Sequence, residues 1–327
     1  MAVYTDIPDD ELTLHLERYN IGELHAIKGI AEGVENSNFL ITTDNGTYIL
    51  TLYEKRVDPA DLPFFLGLMK HLSSKGINCP EPVEMRSGES LAQLAGRPAA
   101  IVSFLDGISL RRPSSANCRQ AGEVLAKMHV AARDFDIRRE NALGLSGWRP
   151  LFENSRDGAD AVLKGLTDLV ETEIEHLQSN WPAKLPAGVI HADMFPDNVL
   201  FLKNQLSGVI DFYFACNDLL ALDIAICLNA WCFEPDWSFN VTKAGALLAG
   251  YQSVRALTQE EYNALPLLCR GSALRFLLTR LFDWLNVPPN ALVTPKDPSE
   301  YIAKLRFHQG VKSPGEYGLH QLPLESK

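Results

Sequence analysis

The sequence predicts an α+β chain of two lobes, a small antiparallel-sheet lobe followed by a larger, mainly helical one. Three observations predict it. Residues 24–53 hold short runs rich in β-branched and aromatic residues, and the last two runs are joined by Asp44-Asn45-Gly46, a strong hairpin signal. Beyond about residue 114 the apolar residues recur mostly at helical spacing. At 327 residues the chain is longer than one compact core ordinarily serves. The boundary is placed near residue 105, giving units 1–105 and 106–327.

Taken in order, residues 9–18 have helical spacing, and strands are expected at 24–30, 38–43 and 47–53. Residues 59–74 read as a helix, apolar at Leu62, Phe65, Leu66, Met69 and Leu72, with Gly76 as its stop. Pro80 and Pro82 precede a further strand, and Arg97-Pro98 leads into a short buried one at 99–104. Ser114 or Ser115 caps a helix running to about Ala132. An amphipathic helix is expected over 160–178. Between Gly188 and Asp211 the pattern changes to a strand, a loop, a strand at 199–202, a polar turn at Lys203-Asn204-Gln205, and a strand at 208–210. Long helices follow at 219–232, 241–251 and 260–285.

Composition narrows the function classes. With 46% hydrophobic and 22% charged residues, the chain can fill a sizeable core and does not read as disordered. A net charge of -11 repels phosphate arrays and opposes nucleic-acid or anionic-membrane partners, while leaving room for a local basic pocket for one small anion. The first residues are acidic (Asp6, Asp9, Asp10, Glu11), unlike a secretory leader. The longest apolar stretch, near Leu219, is broken by Asp223, too early for a membrane span. The six cysteines are scattered without a C-x-x-C pair and read as buried reduced thiols of a cytosolic protein.

The chemistry is carried by Val189-Ile190-His191-Ala192-Asp193-Met194-Phe195-Pro196-Asp197-Asn198, an H-x-D-x-x-x-x-N motif between two strands. Asp211 follows the apolar run Gly208-Val209-Ile210. This is the layout of a phosphoryl-transfer catalytic loop and its metal-binding loop. Such transfer needs positioning and charge neutralisation more than covalent chemistry. Asp193 suits the carboxylate that orients the attacking hydroxyl and takes its proton. Asn198 and Asp211 suit the oxygens that hold Mg2+ against ATP phosphates. His191 is expected to pin the loop beside Asp193 by hydrogen bonding. The three-residue pattern alone arises by chance in on the order of 1 in 100 chains of this length. The flanking strands and the apolar-Ile-Asp at hairpin distance are what single it out.

These residues resemble the aminoglycoside-phosphotransferase and choline-kinase-like superfamily, whose fold is protein-kinase-like. Within it the chain is similar to the bacterial homoserine kinases, through Glu32-Gly33-Val34-Glu35-Asn36-Ser37-Asn38-Phe39, Tyr48-Ile49-Leu50-Thr51-Leu52-Tyr53-Glu54, Pro63-Phe64-Phe65-Leu66, Val209-Ile210-Asp211-Phe212 and Leu274-Arg275-Phe276-Leu277-Leu278-Thr279-Arg280. The stretches span both lobes. The resemblance implies ATP with Mg2+, a cytoplasmic enzyme of threonine biosynthesis, and L-homoserine as the small-molecule acceptor. It places Gly33, Ser37 and Asn38 at the phosphate loop and the adenine on backbone groups of Ser103 to Leu105.

One departure stands out. Where related kinases carry a phosphate-gripping Lys or Arg on the third strand, this chain has Thr51. Lys55 and Arg56 lie just beyond, and Asp61 is near the position of the usual acidic partner. On the acceptor side, Arg275 and Arg280 are candidate carboxylate binders, and Tyr213, Asn217, Asp218 and Trp231 candidate lining residues. Asp223 reads as a carboxylate bracing the catalytic loop, His129 as a satisfied core histidine, and the stripe Phe276, Leu277, Leu281, Trp284 and Leu285 as core. The loop by itself specifies a hydroxyl kinase, so choline, ethanolamine, aminoglycoside and thiosugar acceptors stay open, as does a non-catalytic nucleotide-binding regulator.

Overall fold

The Asp44-Asn45-Gly46 turn closes a tight hairpin between β2 (Asn36–Thr43) and β3 (Gly46–Tyr53), with Thr43 paired to Gly46. Gly46 itself opens β3 at a φ of 145°, a backbone angle that a side chain would resist. We obtained a computed structural model of the chain, which describes residues 5–30, 36–54, 57–287 and 295–319. β1 (Leu24–Gly29), β4 (Ala92–Leu94) and β5 (Arg97–Ser103) complete a five-stranded antiparallel sheet in the order β1-β2-β3-β5-β4. α1 (Asp9–Leu16) packs with one face of this sheet through Leu12, Leu16, Phe39, Ile41, Leu50 and Leu52. α2 (Leu62–Ser74) follows a 3-10 turn at Pro59–Asp61 and ends before Gly76, whose φ is 82°.

The second part is built around helices. α3 (Ser115–Ala131) begins with a capping box between Ser114 and Asn117. α4 (Leu145–Glu153), α5 (Arg156–Val162) and α6 (Leu166–Asn180) follow. The helix expected over 160–178 is thus broken: Leu163 is extended and Gly165 is left-handed at φ 80°, which ends one helix and starts another. β7 (Ala187–Ile190) pairs antiparallel with β10 (Cys216–Leu219). Between them, β6 (Ile108–Ser109), β8 (Val199–Leu202) and β9 (Gln205–Val209) form a small sheet, with Lys203 and Asn204 at positive φ in the expected turn. α7 (Leu220–Trp231), α8 (Val241–Gln252), α9 (Gln259–Leu285) and α10 (Ser299–Gly310) follow, and a 3-10 turn at Pro314–Tyr317 comes after them.

α7 is apolar on nearly every side and buried on all of them, so it is the central post of this part. One apolar cluster joins α2 to β7, β9 and Phe212, which ties the first sheet's helix to the strands that carry the motif. All six cysteines are buried free thiols. Trp284, expected in the core, is 42% exposed, in the last turn of α9.

α3 and α8 touch backbone to backbone. A Cβ on Gly122 would lie 2.0 Å from the Leu247 carbonyl oxygen, and one on Gly250 would lie 1.9 Å from that of Arg119. Neither neighbour is a flexible side chain, so the helices would have to part. Gly122→Ala is expected to lower the thermal midpoint by roughly 5 °C, the result of about 1–3 kcal/mol of overpacking, as read by calorimetry.

Candidate active site

The motif forms the loop between β7 and β8. Val189 and Ile190 sink β7 into the core, and Val199 does the same for the start of β8. Pro196 opens a 3-10 turn, Pro196–Asn198, that brings Asn198 back toward Asp193. Asn198 Nδ2 donates to the Asp193 carbonyl at 2.8 Å and to its Oδ2 at 3.0 Å. The amide is therefore oriented, and its Oδ1 has no partner among the described residues. The Ile210 N–H donates to the Asn198 carbonyl at 2.9 Å, and the Ile210 carbonyl accepts from His191 Nε2 at 3.0 Å. Asp211 is thus held beside the loop, in a left-handed conformation at φ 64°. Burial, and next the charge of Asp211, push the Asp193 carboxyl up to about 8, against the opposing pull of Arg275.

His191 is 1% exposed. Its Nδ1 accepts from the Asp193 N–H at 3.3 Å while Nε2 donates to Ile210, which selects the neutral Nε2–H tautomer. Burial lowers its pKa as well. The imidazole clamps the loop to the Asp211 segment and makes no contact that would move a proton.

Beneath the loop lies a buried carboxylate. Asp223, fully buried on α7, accepts from the His191 N–H at 2.7 Å and the Ala192 N–H at 2.9 Å. His129 Nε2 donates to it at 3.1 Å, and His129 Nδ1 meets the Tyr251 hydroxyl at 2.8 Å. Arg255 then links Tyr251 to Glu261, at 3.0 and 2.8 Å. Burial pushes the Asp223 carboxyl up, but the His129 hydrogen bond and charge, together with the His191 side chain and N–H, outweigh it and hold the group below its ordinary value. From the other side, the Arg275 guanidinium donates to the Ala192 carbonyl. Both peptide groups of Ala192, a residue at φ 62°, are therefore fastened, one to α7 and one to α9.

On the expected nucleotide side, Gly33, Lys55 and Arg56 lie outside the described residues. Ser37 is fully buried and its hydroxyl donates to Glu54 Oε1 at 2.7 Å. Asn38 stands opposite Thr51 across β2 and β3, and Thr51 Oγ1 donates to Asn38 Oδ1 at 2.8 Å. A neutral pair thus occupies the place of the expected cation. Asp61 accepts from Arg139 Nε at 2.6 Å, so its ion pair crosses to the second part of the chain instead of to β3. Ser103 exchanges hydrogen bonds with Glu81, at 2.9 Å in each direction. Leu105 is half-buried, and its backbone N–H and C=O have no partner among the described residues.

The acceptor candidates separate. Tyr213 packs edge-on against Tyr53 and Phe65, with its hydroxyl 3.3 Å from that of Tyr53, two residues after Asp211. Arg275 is 3% exposed and lies at the loop. Arg280 is taken up by Glu300 and the Asp297 carbonyl. Trp231 is a correction: it is 1% exposed, and its indole N–H donates to the Met194 carbonyl at 2.8 Å, so it props the loop from within the core. Asp218 is another. It pairs with Gly188, at the end of β7 away from the loop, and accepts from Asn141 at 2.6 Å. There it borders an open cavity of about 740 Å³, also lined by Arg138, Ser146, Gln178, Trp181 and Asn217. This cavity is thus at the far end of β7 from Asp193. α10, which carries Glu300, Tyr301 and Lys304 and brings Glu300 and Tyr301 against Arg280, has no counterpart in the sequence reading.

Asp211, Asn198 Oδ1 and Asp193 are hard oxygen donors, few in number. This fits Mg2+, which keeps several waters and takes its remaining oxygens from substrate phosphates. With a nucleotide bound, Asn198 and Asp211 would hold the ion, whose charge would neutralise the phosphates.

Residues 26–257 match the phosphotransferase enzyme family. The chain is 63% identical over 319 residues to the homoserine kinase of Afipia carboxidovorans, covering 98% of each chain. It is 61% identical over 321 residues to that of Sinorhizobium medicae, again covering 98% of each. Among solved structures, it resembles an amicoumacin kinase in complex with AMP-PNP and Ca2+ at a TM-score of 0.68, with 15% identity and 92% of each chain covered. It also resembles a choline kinase from Cryptosporidium parvum at a TM-score of 0.66, with 17% identity, over 92% of this chain and 94% of that one. The architecture is the two-lobed protein-kinase-like fold, with a small antiparallel-sheet lobe and a larger, mainly helical lobe.

Proposed function

Because the chain belongs to the phosphotransferase enzyme family, and within it to the homoserine kinases, we propose that it converts L-homoserine to O-phosphohomoserine with Asp193 as the base. The similarity to the homoserine kinases supports the acceptor, and the observation that supports Asp193 as the base is the clamp of Asn198 on it beside Asp211. In this reading Asp193 orients the side-chain hydroxyl and accepts its proton. The hydroxyl oxygen forms the new bond to the γ-phosphorus, and ADP leaves. His191 positions the loop and does not react. The nucleotide sits on the lobe formed by residues 1–105, with Asn38 near the phosphates and the Ser103–Leu105 backbone at the base; residues 106–327 carry catalysis and the acceptor.

We place this reaction in threonine biosynthesis in the cytoplasm, in keeping with the homoserine kinase relatives. Among the described residues no helix is long and apolar enough to cross a membrane. The deciding experiment is ADP release from ATP·Mg2+ with L-homoserine, choline, ethanolamine and an aminoglycoside offered separately. Homoserine is expected to dominate. Release with choline or the aminoglycoside, and none with homoserine, would end this assignment. Asp211→Asn is expected to raise the Mg2+ concentration needed for half-maximal rate by about tenfold or more, since one charged oxygen ligand becomes neutral.

A further inference from the structure

Two buried donors behind the catalytic loop have no partner among the described residues. Arg275, 3% exposed, uses one terminal nitrogen on the Ala192 carbonyl, while its Nε is left over. Tyr301, fully buried on α10, has an unpartnered hydroxyl. The two feel each other's charge and that of Asp193. Buried polar groups are almost always satisfied, and an orphan costs stability unless something fills its place. The surroundings are cationic: the Arg280 guanidinium lies 4.4 Å and Lys304 Nζ 4.6 Å from the centre of the Tyr301 ring, and Glu300 is the carboxylate that offsets them.

We propose that Arg275 Nε–H and the Tyr301 hydroxyl form the subsite for the acceptor's α-carboxylate, which makes Tyr301 a specificity-determining residue. The inference rests on the homoserine reading. In homoserine the side-chain hydroxyl and the carboxylate are about 5–6 Å apart when the molecule is extended, a span set by its carbon chain. Asp193 is near enough to both donors for its charge to bear on each, and Arg275 is fastened to the carbonyl of the residue before Asp193. A planar guanidinium and a phenol together give a carboxylate one charge-assisted and one neutral hydrogen bond in a dry setting. Phe195, half-buried on the loop, stands edge-on to Phe276 at 4.9 Å, and Phe276 in turn lies 5.3 Å from Tyr301, so these rings join the loop to the two donors.

The test compares L-homoserine with 3-aminopropan-1-ol, the same amino alcohol without the carboxylate, as acceptors for the wild type and for Tyr301→Phe. The preference for homoserine, as a ratio of kcat/KM values, is expected to fall at least tenfold in the variant. The homoserine KM should rise while the ATP KM stays put. Without acceptor, the variant's thermal midpoint should hold or rise, because an unsatisfied hydroxyl has been removed. An equal loss on both alcohols, or an unchanged homoserine KM, would show that Tyr301 only packs, and would overturn the proposal. Arg275→Lys, which keeps the charge but loses Nε–H, should repeat the loss of preference. If the wild type phosphorylates other alcohols and not homoserine, it is the functional reading that fails, a result distinct from failure of the subsite.

Discussion

Replacing Asp193 with Asn is expected to lower kcat on homoserine about a thousandfold while the ATP dissociation constant changes by less than about threefold. A positioned base contributes on the order of 10²–10⁴ to rate. Asn has nearly the same shape, and its carbonyl oxygen can still accept from Asn198 Nδ2, so the loop and the nucleotide site should persist. Steady-state kinetics and a nucleotide titration read the two quantities. Turnover within tenfold of wild type would remove Asp193 from the role. The wild-type pH profile carries a sign. Only the ionised carboxylate accepts a proton, and burial and Asp211 push this carboxyl up to about 8 in the metal-free protein. The rate should therefore rise with pH, along a limb that Mg2+ shifts to lower pH because a nearby cation favours the ionised form.

The second large effect is at Asp223. Asp223→Ala is expected to lower the thermal midpoint by roughly 10 °C, corresponding to about 3–5 kcal/mol for breaking a buried charged cluster from one side. The His191 and Ala192 N–H groups and His129 Nε2 would all lose their acceptor in a place water does not reach. Asp223→Asn, which retains one acceptor oxygen, should cost less. Differential scanning calorimetry distinguishes the pair, and a midpoint within 2 °C of wild type for the Ala variant would contradict the bracing role. The pH sign follows from the carboxyl being held below its ordinary value. Its stabilising contribution is present above about pH 4 and is lost as the pH falls through the folded-state value.

What could be read beforehand was local. The hairpin residues, the Ser114 cap and the H-x-D-x-x-x-x-N spacing each act within a few positions, so their geometry is written in adjacent letters. α10 escaped because its buried face includes Lys304 and His308, which interrupt the apolar period that marks a helix. β10 is four residues long and half polar, too short for an alternating pattern to show, and it pairs with β7 along its whole length. Trp231 follows the Asp211 segment and so reads as an acceptor-pocket residue, yet it ends α7 with its indole turned inward to Met194. Asp223 was read correctly as a brace, but its partner His129 sits on α3, and only the folded chain brings the two together. The orphan hydroxyl of Tyr301 has no sequence signature at all, since it is defined by what is missing around it.

Ala192 and Asp211 are non-glycine residues held in left-handed backbone conformations on either side of the reacting group. Each costs about 1–3 kcal/mol that the surrounding contacts must offset. Selection for heat resistance alone would therefore favour Gly at position 192, where the strain would vanish. Such a change would also slacken the joint that α7 and α9 pull taut from opposite sides. A laboratory lineage evolved only for thermostability is expected to trade turnover for melting temperature at this position before it does so anywhere on the surface.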